Sequence, residues 1–383
     1  MKKQTTTVAA IFSYFVLYSP QPLLPTFADE YGIGVSQAGA LMTATLIPLA
    51  LAPLFYGYLL SAISPSRLLR YSILCMGVSC LAFANSYSYD FSFTIRFIQG
   101  LLLPAALTAI TTYIGAHSTA DQLQKNMSLF ITGTIIGGLF GRVLVGIFAT
   151  YLSWNLFYYA LAIMLLITAV SIPVERNEVK IKYAHLSLNS IFHTFAIKGV
   201  GKLYISIFCL FFSFVALLNY LPFMLKTLME SPDEMILGLM YCGFIMGAVS
   251  SLNAHRLTTL LGSAKRVMSL GYVAFLCSIA VLFIQHVTVI FLLLFLFCGS
   301  MFLVHSVAAT EVNKRSPSNK SILNALYVTF YYSGGVAGSY LPGILYENFG
   351  NRAFLLCLLT ISGSGLIILL TVPAVETKYN KTT

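Results

Sequence analysis

The feature that most constrains this chain is the recurrence of apolar segments of about 20 residues along its whole length. A helix of that length crosses the roughly 30 Å hydrocarbon core of a bilayer, and only helices or closed barrels satisfy backbone polar groups in lipid. Because the segments are continuously apolar, we predict helices and not alternating strands. The twelve predicted spans are residues 8–27, 38–60, 68–87, 90–115, 126–150, 153–173, 203–226, 235–255, 265–285, 287–311, 320–345 and 349–372.

The composition supports a membrane protein, because only 9% of the residues are charged, against roughly 25% in soluble domains. The net charge of +10 is unevenly distributed over the connections. Lys226 and Arg352 lie on one side, Arg96 and Arg142 are embedded, and the other basic residues share the opposite side: Lys2, Lys3, Arg67, Arg70, Lys125, Arg176, Lys180, Lys182, Lys198, Lys202, Arg256, Lys265, Arg266, Lys314, Arg315, Lys320, Lys378 and Lys381. By the positive-inside rule, we expect both termini in the cytoplasm. The basicity is thus topological, and we expect no nucleic-acid partner.

The chain carries no pattern that indicates catalysis. Its seven cysteines fall within predicted spans and lack metal-ligand spacing. No Gly-rich phosphate loop, H-E-x-x-H motif or assembled Ser/His/Asp set is present. We therefore predict that the protein is not an enzyme, has no catalytic residue, metal site or cofactor, and is not an ATP-driven pump.

The chain divides into two similar parts. The longest polar connection, residues 174–202, separates residues 1–173 from residues 203–383, with six predicted spans in each part. A shift of 197 residues aligns "TGTIIGGLFGRVLVGIFATYLSWNLF", which starts at Thr132, with "TFYYSGGVAGSYLPGILYENFGNRAF", which starts at Thr329. Because each part has an even number of spans, the repeat is parallel. We predict an all-α membrane protein of two parallel six-helix repeats joined by a cytoplasmic linker.

Several short motifs carry a resemblance to a known family. They are "LYSPQPLLP" in span 1, "RFIQG" in span 4, "GGLFGRVLVG" in span 5, "LLNYLPF" in span 7, "LVHSVAA" in span 10 and "LYVTFYYSGG" in span 11. Together with the repeat, the chain resembles the major facilitator superfamily, and within it the bacterial inner-membrane efflux permeases that export drugs and metabolites. The resemblance implies alternating access, proton-coupled efflux and location in the bacterial inner membrane. It also implies that Arg96 matches a helix-4 arginine associated with substrate binding or proton coupling.

Three side chains that carry or gain a positive charge are embedded, namely Arg96, Arg142 and His305, whereas no acid falls in the central turns of a span. A lone charge at membrane depth costs a few kcal/mol or more, so such groups face the bundle interior and have a partner. We expect carbonyls, Gln, Tyr, water or an anionic ligand as partners. The two arginines can lie within one turn in depth, and one cationic patch is expected there.

For each embedded residue, a structural role is the alternative to a functional one. Arg142 either contacts substrate or holds carbonyls at the seam between the parts, where Gly138 and Gly146 permit close helix approach. Arg96, with Gln99 one turn further along its face, either binds substrate or anchors the helix end. His305 either couples protons or is a satisfied core histidine.

Further candidates lie near mid-depth on corresponding spans. Gln21 and Asn219, on spans 1 and 7 beside prolines, either line a midplane cavity or make interhelical hydrogen bonds. Tyr18, Tyr327 and Tyr331 either bind substrate or pack against neighbours.

These observations favour a monomeric secondary transporter of a small organic solute, because nothing in the sequence supports catalysis. Two embedded arginines and a histidine indicate an anionic or zwitterionic solute, such as a carboxylate metabolite or polycarboxylate siderophore. Import of such an anion with protons is the alternative to efflux. A non-transporting membrane receptor or scaffold on the same fold is the alternative of another class.

Overall fold

The computed structural model describes residues 3–118, 120–174, 188–229, 232–316 and 320–373, which form helices without any strand. The N-terminal part contains α1 (Lys3–Tyr18), α2 (Leu24–Tyr31), α3 (Val35–Ala62), α4 (Pro65–Ala84), α5 (Tyr89–His117), α6 (Ala120–Tyr151) and α7 (Trp154–Ser171). The C-terminal part contains α8 (Leu188–Ala196), α9 (Val200–Leu228), α10 (Glu234–Leu239), α11 (Phe244–Leu261), α12 (Ala264–Val281), α13 (Val287–Arg315) and α14 (Lys320–Leu370).

Within this described part of the chain, 11 helical stretches are long and apolar enough to cross a membrane. The longest, Ile322–Leu370, has 49 residues, which is about twice what a bilayer requires. Its helix is interrupted at Gly350, whose φ of 74° and ψ of −175° are not helical. A turn there divides α14 into two crossings, so the described residues make twelve passes. The all-α membrane fold expected from the sequence is confirmed, and the protein is a multi-pass membrane protein.

The connection between the two parts contains one element that the sequence did not predict. Helix α8 lies inside the predicted linker, residues 174–202. The Phe195 ring of α8 packs 6.0 Å from Tyr204 and 5.8 Å from Phe330 between ring centres, which attaches α8 to α9 and α14. Residues 175–187 of the linker, with Arg176, lie outside the described residues, and so do Lys2 and the basic C-terminal tail. The domain boundaries stay a prediction.

The internal repeat is visible in how helices pack. A methyl group on Gly137 would lie 2.5 Å from the Ile11 carbonyl oxygen, and one on Gly141 would lie 2.9 Å from Phe15 Cα. Both positions therefore require glycine for α6 to pack on α1. The equivalent glycines of α14, Gly334 and Gly338, pack in the same way on Phe208 and Phe212 of α9. These eight residues form four pairs that are related by the same 197-residue shift, so helix packing follows the sequence repeat.

One end of the bundle joins the two parts by polar side chains, and we call it the closed end. Lys226 Nζ lies 2.8 Å from Asp29 Oδ2, and Thr26 donates to Glu234 Oε1 at 3.2 Å. Glu347 Oε2 accepts hydrogen bonds from the backbone N–H and the hydroxyl of Ser36 at 3.2 and 2.8 Å. The opposite end, which we call the basic end, includes the helix ends with Lys125, Arg256, Lys265, Lys314 and Arg315.

Candidate functional site

A cavity of about 360 Å³ lies between mid-depth and the basic end. Its wall is formed by α1, α6, α11, α13 and α14, so it lies between the two parts. Aromatic and imidazole rings dominate the wall: Tyr14, Tyr18, Phe244, Phe302, His305, Tyr327, Tyr331 and Tyr332. Hydroxyl groups of Thr134, Ser251 and Ser306 add polar contacts. Of the residues that the structure describes, no Asp, Glu, Lys or Arg lines this cavity. The wall therefore suits stacking and hydrogen bonding.

Arg142 lies directly behind this wall and is 1% exposed. Its Nε donates to Gln21 Oε1 at 2.7 Å, and its Nη1 donates to the Gly138 carbonyl oxygen. The guanidinium carbon lies 4.0 Å from the ring centre of Tyr18, 4.4 Å from that of Phe244 and 4.8 Å from that of Tyr241. Ring faces at such distances attract a cation. Amide, carbonyl and ring contacts thus stabilise the buried charge, as expected from the absence of a core acid.

Gly138 is one of the wall residues that separate the cavity from Arg142. It lines the cavity, and a methyl group there would lie 3.6 Å from Arg142 Nη1 and 3.7 Å from a Tyr18 ring carbon. These are ordinary van der Waals distances, so the expected close helix approach at Gly138 is wrong. Gly146 does provide it, because a methyl group there would lie 2.5 Å from the Glu234 carbonyl oxygen. The two glycines therefore differ in role: Gly138 keeps the Arg142 guanidinium close to the cavity, and Gly146 permits α6 to pack on α10.

Arg96 lies at a break in span 1 and is fully buried. Helix α1 ends at Tyr18 because Pro20 follows, and Pro20 has no N–H to donate to the Val16 carbonyl oxygen. Arg96 Nη1 donates to Val16 O at 2.7 Å and Nη2 to Leu17 O at 2.9 Å. Arg96 Nη1 also donates to Gln99 Oε1 at 2.7 Å. A cation that satisfies the last carbonyls of a helix stabilises its C-terminus.

The two arginines have separate surroundings. Arg96 contacts α1 carbonyls and Gln99, whereas Arg142 contacts Gln21, Gly138 and aromatic rings. The expected single cationic patch is therefore wrong: depth along the helices brought the two together in the sequence argument, but they face different neighbours. Arg96 and Gln99 do not reach the cavity in this conformation. Their part in substrate binding stays a prediction.

Gln21 and Asn219 meet at the junction between the two parts, and both are buried. Gln21 Nε2 donates to Asn219 Oδ1 at 2.6 Å. Gln21 occupies the short 3₁₀ turn between α1 and α2, and Asn219 lies on α9 just before Pro222. Neither lines the cavity in this conformation. The interhelical hydrogen bond considered as the alternative is present, and a direct substrate contact stays a prediction.

His305, Tyr327 and Tyr331 form one side of the cavity. The Tyr327 hydroxyl lies 2.9 Å from His305 Nδ1, and it donates to the His305 carbonyl oxygen at 3.1 Å. The Tyr331 ring is stacked on Phe211 at 3.6 Å between centres and lies 4.5 Å from the His305 ring. His305 thus has a hydrogen-bond partner and also faces the cavity, so both alternatives for it stay open.

Four of the predicted residues line the cavity, namely Tyr18, His305, Tyr327 and Tyr331. A fifth, Arg142, lies directly behind the wall. Sequence reasoning missed Tyr14, Phe244, Phe302 and Tyr241, and it favoured Tyr332 less than Tyr331 as a cavity residue. The signal available for Tyr14 was its spacing of four residues from Tyr18, which places both on one face of α1. The phenylalanines gave none, because an aromatic residue in a continuously apolar span is ordinary. Across the described residues, no group of three or more His, Cys, Asp and Glu is placed to hold a metal ion.

Comparison with known proteins agrees with this architecture. The family model described as "Major Facilitator Superfamily" matches residues 6–339 and 203–382. The chain is 29% identical over 349 residues to the uncharacterized MFS-type transporter YybF of Bacillus subtilis, covering 89% of this chain and 86% of that protein. It is 26% identical over 350 residues to the inner membrane transport protein YnfM of Escherichia coli, covering 89% and 83%.

A solved structure of the nucleoside transporter NupG superimposes with a TM-score of 0.79, at 15% identity, over 96% of this chain and 98% of that one. At that identity, the likeness concerns the fold alone. The expectation that the protein is not an enzyme is confirmed by these relatives. The chain belongs to the major facilitator superfamily and is a membrane transporter of that family.

Proposed function

We propose that the protein is a secondary active transporter of a small organic anion or zwitterion, and that the solute binds in the cavity beside Gly138. The observation that carries the proposal is the position of Arg142, whose guanidinium lies behind Gly138, Tyr18 and Phe244 of the wall. A positive charge in a medium of low dielectric constant acts over a longer distance than in water. The described wall offers no acid that would attract a cation instead.

The shape of the cavity wall supports a solute with a flat apolar portion. His305 and Tyr331 lie on one side, and Tyr18 and Phe244 cover Arg142 on another. Aromatic rings prefer offset stacking or edge-to-face contacts with other rings, each worth about 0.5–1.5 kcal/mol beyond area burial. A carboxylate group near Gly138 with a ring between the tyrosines satisfies both features. Carboxylate metabolites and polycarboxylate siderophores that contain an aromatic ring have both features.

Alternating access accounts for the distribution of contacts. The Lys226–Asp29 ion pair and the Ser36–Glu347 hydrogen bond between the parts lie at the closed end, and the cavity lies toward the basic end. With the basic end in the cytoplasm, this conformation is closed to the outside. Rocking of the two parts would then expose the cavity to the outside. We further propose the bacterial inner membrane as the location, both termini in the cytoplasm and a monomer as the working unit.

Efflux coupled to protons is the proposed direction, based on the motifs shared with efflux permeases. His305 is the candidate proton carrier, because it is a cavity residue whose ordinary pKa lies near neutrality and it contacts Tyr327. Import of an organic anion with protons uses the same cavity and is the alternative. A receptor or scaffold without transport is the alternative of another class.

A binding experiment tests the charge of the solute. Purified protein is titrated with benzoate, its saturated analogue cyclohexanecarboxylate, and benzylamine, and thermal stabilisation is measured. We expect benzoate to stabilise the protein more than cyclohexanecarboxylate, and benzylamine to have no effect. Gly138→Ala should weaken the response to benzoate, because its methyl group separates the cavity from Arg142 at ordinary contact distance. Gly115→Ala is the matched control, since a methyl group there has nothing within 4 Å.

Stabilisation by benzylamine but not by benzoate would refute the anion proposal. Transport is then measured by counterflow of a radiolabelled carboxylate that binds, in proteoliposomes, which separates a transporter from a receptor. Direction follows from uptake into everted vesicles with an imposed proton gradient. Accumulation in everted vesicles acidified inside supports proton-coupled efflux, and accumulation only in right-side-out vesicles acidified outside supports the importer.

A further inference from the structure

We infer that Arg142 is a positioning residue that links the cavity to the contacts at the closed end, through Gln21 and Asn219. The three side chains form a continuous chain, with 2.7 Å between Arg142 Nε and Gln21 Oε1 and 2.6 Å between Gln21 Nε2 and Asn219 Oδ1. The first two belong to residues 1–173, and Asn219 belongs to residues 203–383. The inference rests on the proposed function, because it assigns to the bound anion the role of loosening the hydrogen bonds between these three side chains.

The direction of the hydrogen bonds follows from Arg142 alone. A guanidinium has only donors, so the Gln21 atom that faces it must be the amide oxygen. The Gln21 amide nitrogen then points to Asn219, where it requires an acceptor, which must be the Asn219 oxygen. This arrangement leaves Asn219 Nδ2 buried without a partner. One orientation of the guanidinium therefore fixes the orientation of both amides.

Asn219 lies beside a second helix position where a proline leaves a carbonyl oxygen without its usual donor. Pro222 cannot donate to the Leu218 carbonyl oxygen, and the Tyr241 hydroxyl donates to it at 2.9 Å. The Tyr241 ring also lies 4.8 Å from the Arg142 guanidinium carbon. Gly238 brings the α10 turn close to α6, because a methyl group there would lie 2.8 Å from the Arg142 carbonyl oxygen. Arg142 thus contacts both sides of the junction, through hydrogen bonds on one side and packing on the other.

An anion at Gly138 changes this balance. Arg142 Nη1 donates to the Gly138 carbonyl oxygen, and a carboxylate is a stronger acceptor for a guanidinium than a carbonyl. Movement of the guanidinium toward the carboxylate removes the donor from Gln21 Oε1. The Gln21 amide then rotates freely, its bond to Asn219 is lost, and the closed end opens more easily. Binding from the basic end would therefore favour the conformation that is open at the other end.

The experiment measures the distance across the closed end. Spin labels are attached through Tyr87→Cys and Phe349→Cys, on a background without the seven native cysteines. Both positions are exposed and lie at the closed end, one in each part of the chain. Double electron–electron resonance is recorded for the parent, Gln21→Ala and Gln21→Glu, with and without saturating benzoate. Asn155→Ala is the matched control, because the Asn155 amide donates to Ala84 O within the N-terminal part.

We expect a short distance in the parent and in Asn155→Ala, and a population shift toward longer distances in Gln21→Ala. The shift should be roughly threefold to tenfold in the ratio of open to closed molecules, which corresponds to the loss of one buried hydrogen bond between helices. Gln21→Glu should retain the short distance, because its carboxylate accepts from Arg142 Nε and from Asn219 Nδ2 at once. Benzoate should shift the parent and have little further effect on Gln21→Ala.

Two outcomes without ligand, and one with benzoate, would overturn the inference. The first is an unchanged distance in Gln21→Ala without ligand, and the second is a Gln21→Glu protein that opens as much as Gln21→Ala. Both are measured without benzoate, so they are decided even if benzoate does not bind. Absence of benzoate binding to the parent, measured separately by thermal stabilisation, would instead contradict the proposed anion specificity. Binding of benzoate to a parent that stays closed would reject the loosening step.

Discussion

Replacement of Arg96 by methionine should destabilise the protein without directly altering the cavity wall. Arg96 is fully buried and donates to the carbonyl oxygens of Val16 and Leu17, which the proline break leaves without intrahelical donors. Methionine fills part of the volume of the arginine side chain but donates no hydrogen bond. The variant therefore separates the donor function of Arg96 from its packing.

The expected loss of stability follows from the number of carbonyl oxygens that lose their hydrogen-bond donor. Each buried polar group left unsatisfied costs about 1–3 kcal/mol. Gln99 can turn its amide toward other partners, since its Nε2 already lies 3.9 Å from Cys80 Sγ, so the two carbonyl oxygens remain. We therefore expect a loss of about 2–6 kcal/mol in the free energy of unfolding. Against a total stability of about 5–15 kcal/mol, that is a large fraction.

The assay is reversible unfolding of the purified protein in mixed micelles, followed by circular dichroism. Arg67→Met is the matched control, because Arg67 is exposed and surface substitutions usually change stability by less than about 0.5 kcal/mol. Arg96→Lys should give an intermediate loss, since an ammonium group lacks the fork that reaches two carbonyls. A loss below about 1 kcal/mol for Arg96→Met would refute the reasoning, because water would then satisfy the break.

Three further results are expected. Gly146→Ala should favour opening of the closed end, because its methyl group would lie 2.5 Å from the Glu234 carbonyl oxygen. The spin-label distance across the closed end should lengthen in this variant and stay unchanged in the control Gly115→Ala. Glu347→Ala removes the acceptor of two hydrogen bonds from the first turn of α3 and should lengthen the same distance, and an unchanged distance would show that these bonds do not hold the end closed. A single cysteine at Lys265 should react with an impermeant thiol reagent only after permeabilisation of cells, and labelling in intact cells would contradict the proposed topology.

The sequence predicted the features that depend on residues near one another in the chain. Apolar length predicts the spans, and the 197-residue shift that aligns Gly137 with Gly334 predicts the repeat. The faces of the helices could not be predicted, because a span that is apolar all round has no polar face to fix its rotation. Depth alone therefore placed Arg96 beside Arg142, whereas the structure turns them toward different neighbours.

The different partners of the two arginines correspond to different mechanical roles. Arg96 makes hydrogen bonds to consecutive carbonyl oxygens of α1, and hydrogen bonds weaken steeply when their angle changes, so its position is tightly defined. Arg142 makes hydrogen bonds to Gln21 and to the Gly138 carbonyl oxygen, and the ring faces of Tyr18 and Phe244 add an attraction that acts on a cation over a broad range of positions. A guanidinium that also contacts ring faces can exchange a hydrogen-bond partner without losing all of its stabilisation. Pro20 therefore sets where the break in span 1 lies, and Arg96 stabilises the carbonyl oxygens that the break leaves without donors. Arg142 orients Gln21, the residue that follows the break.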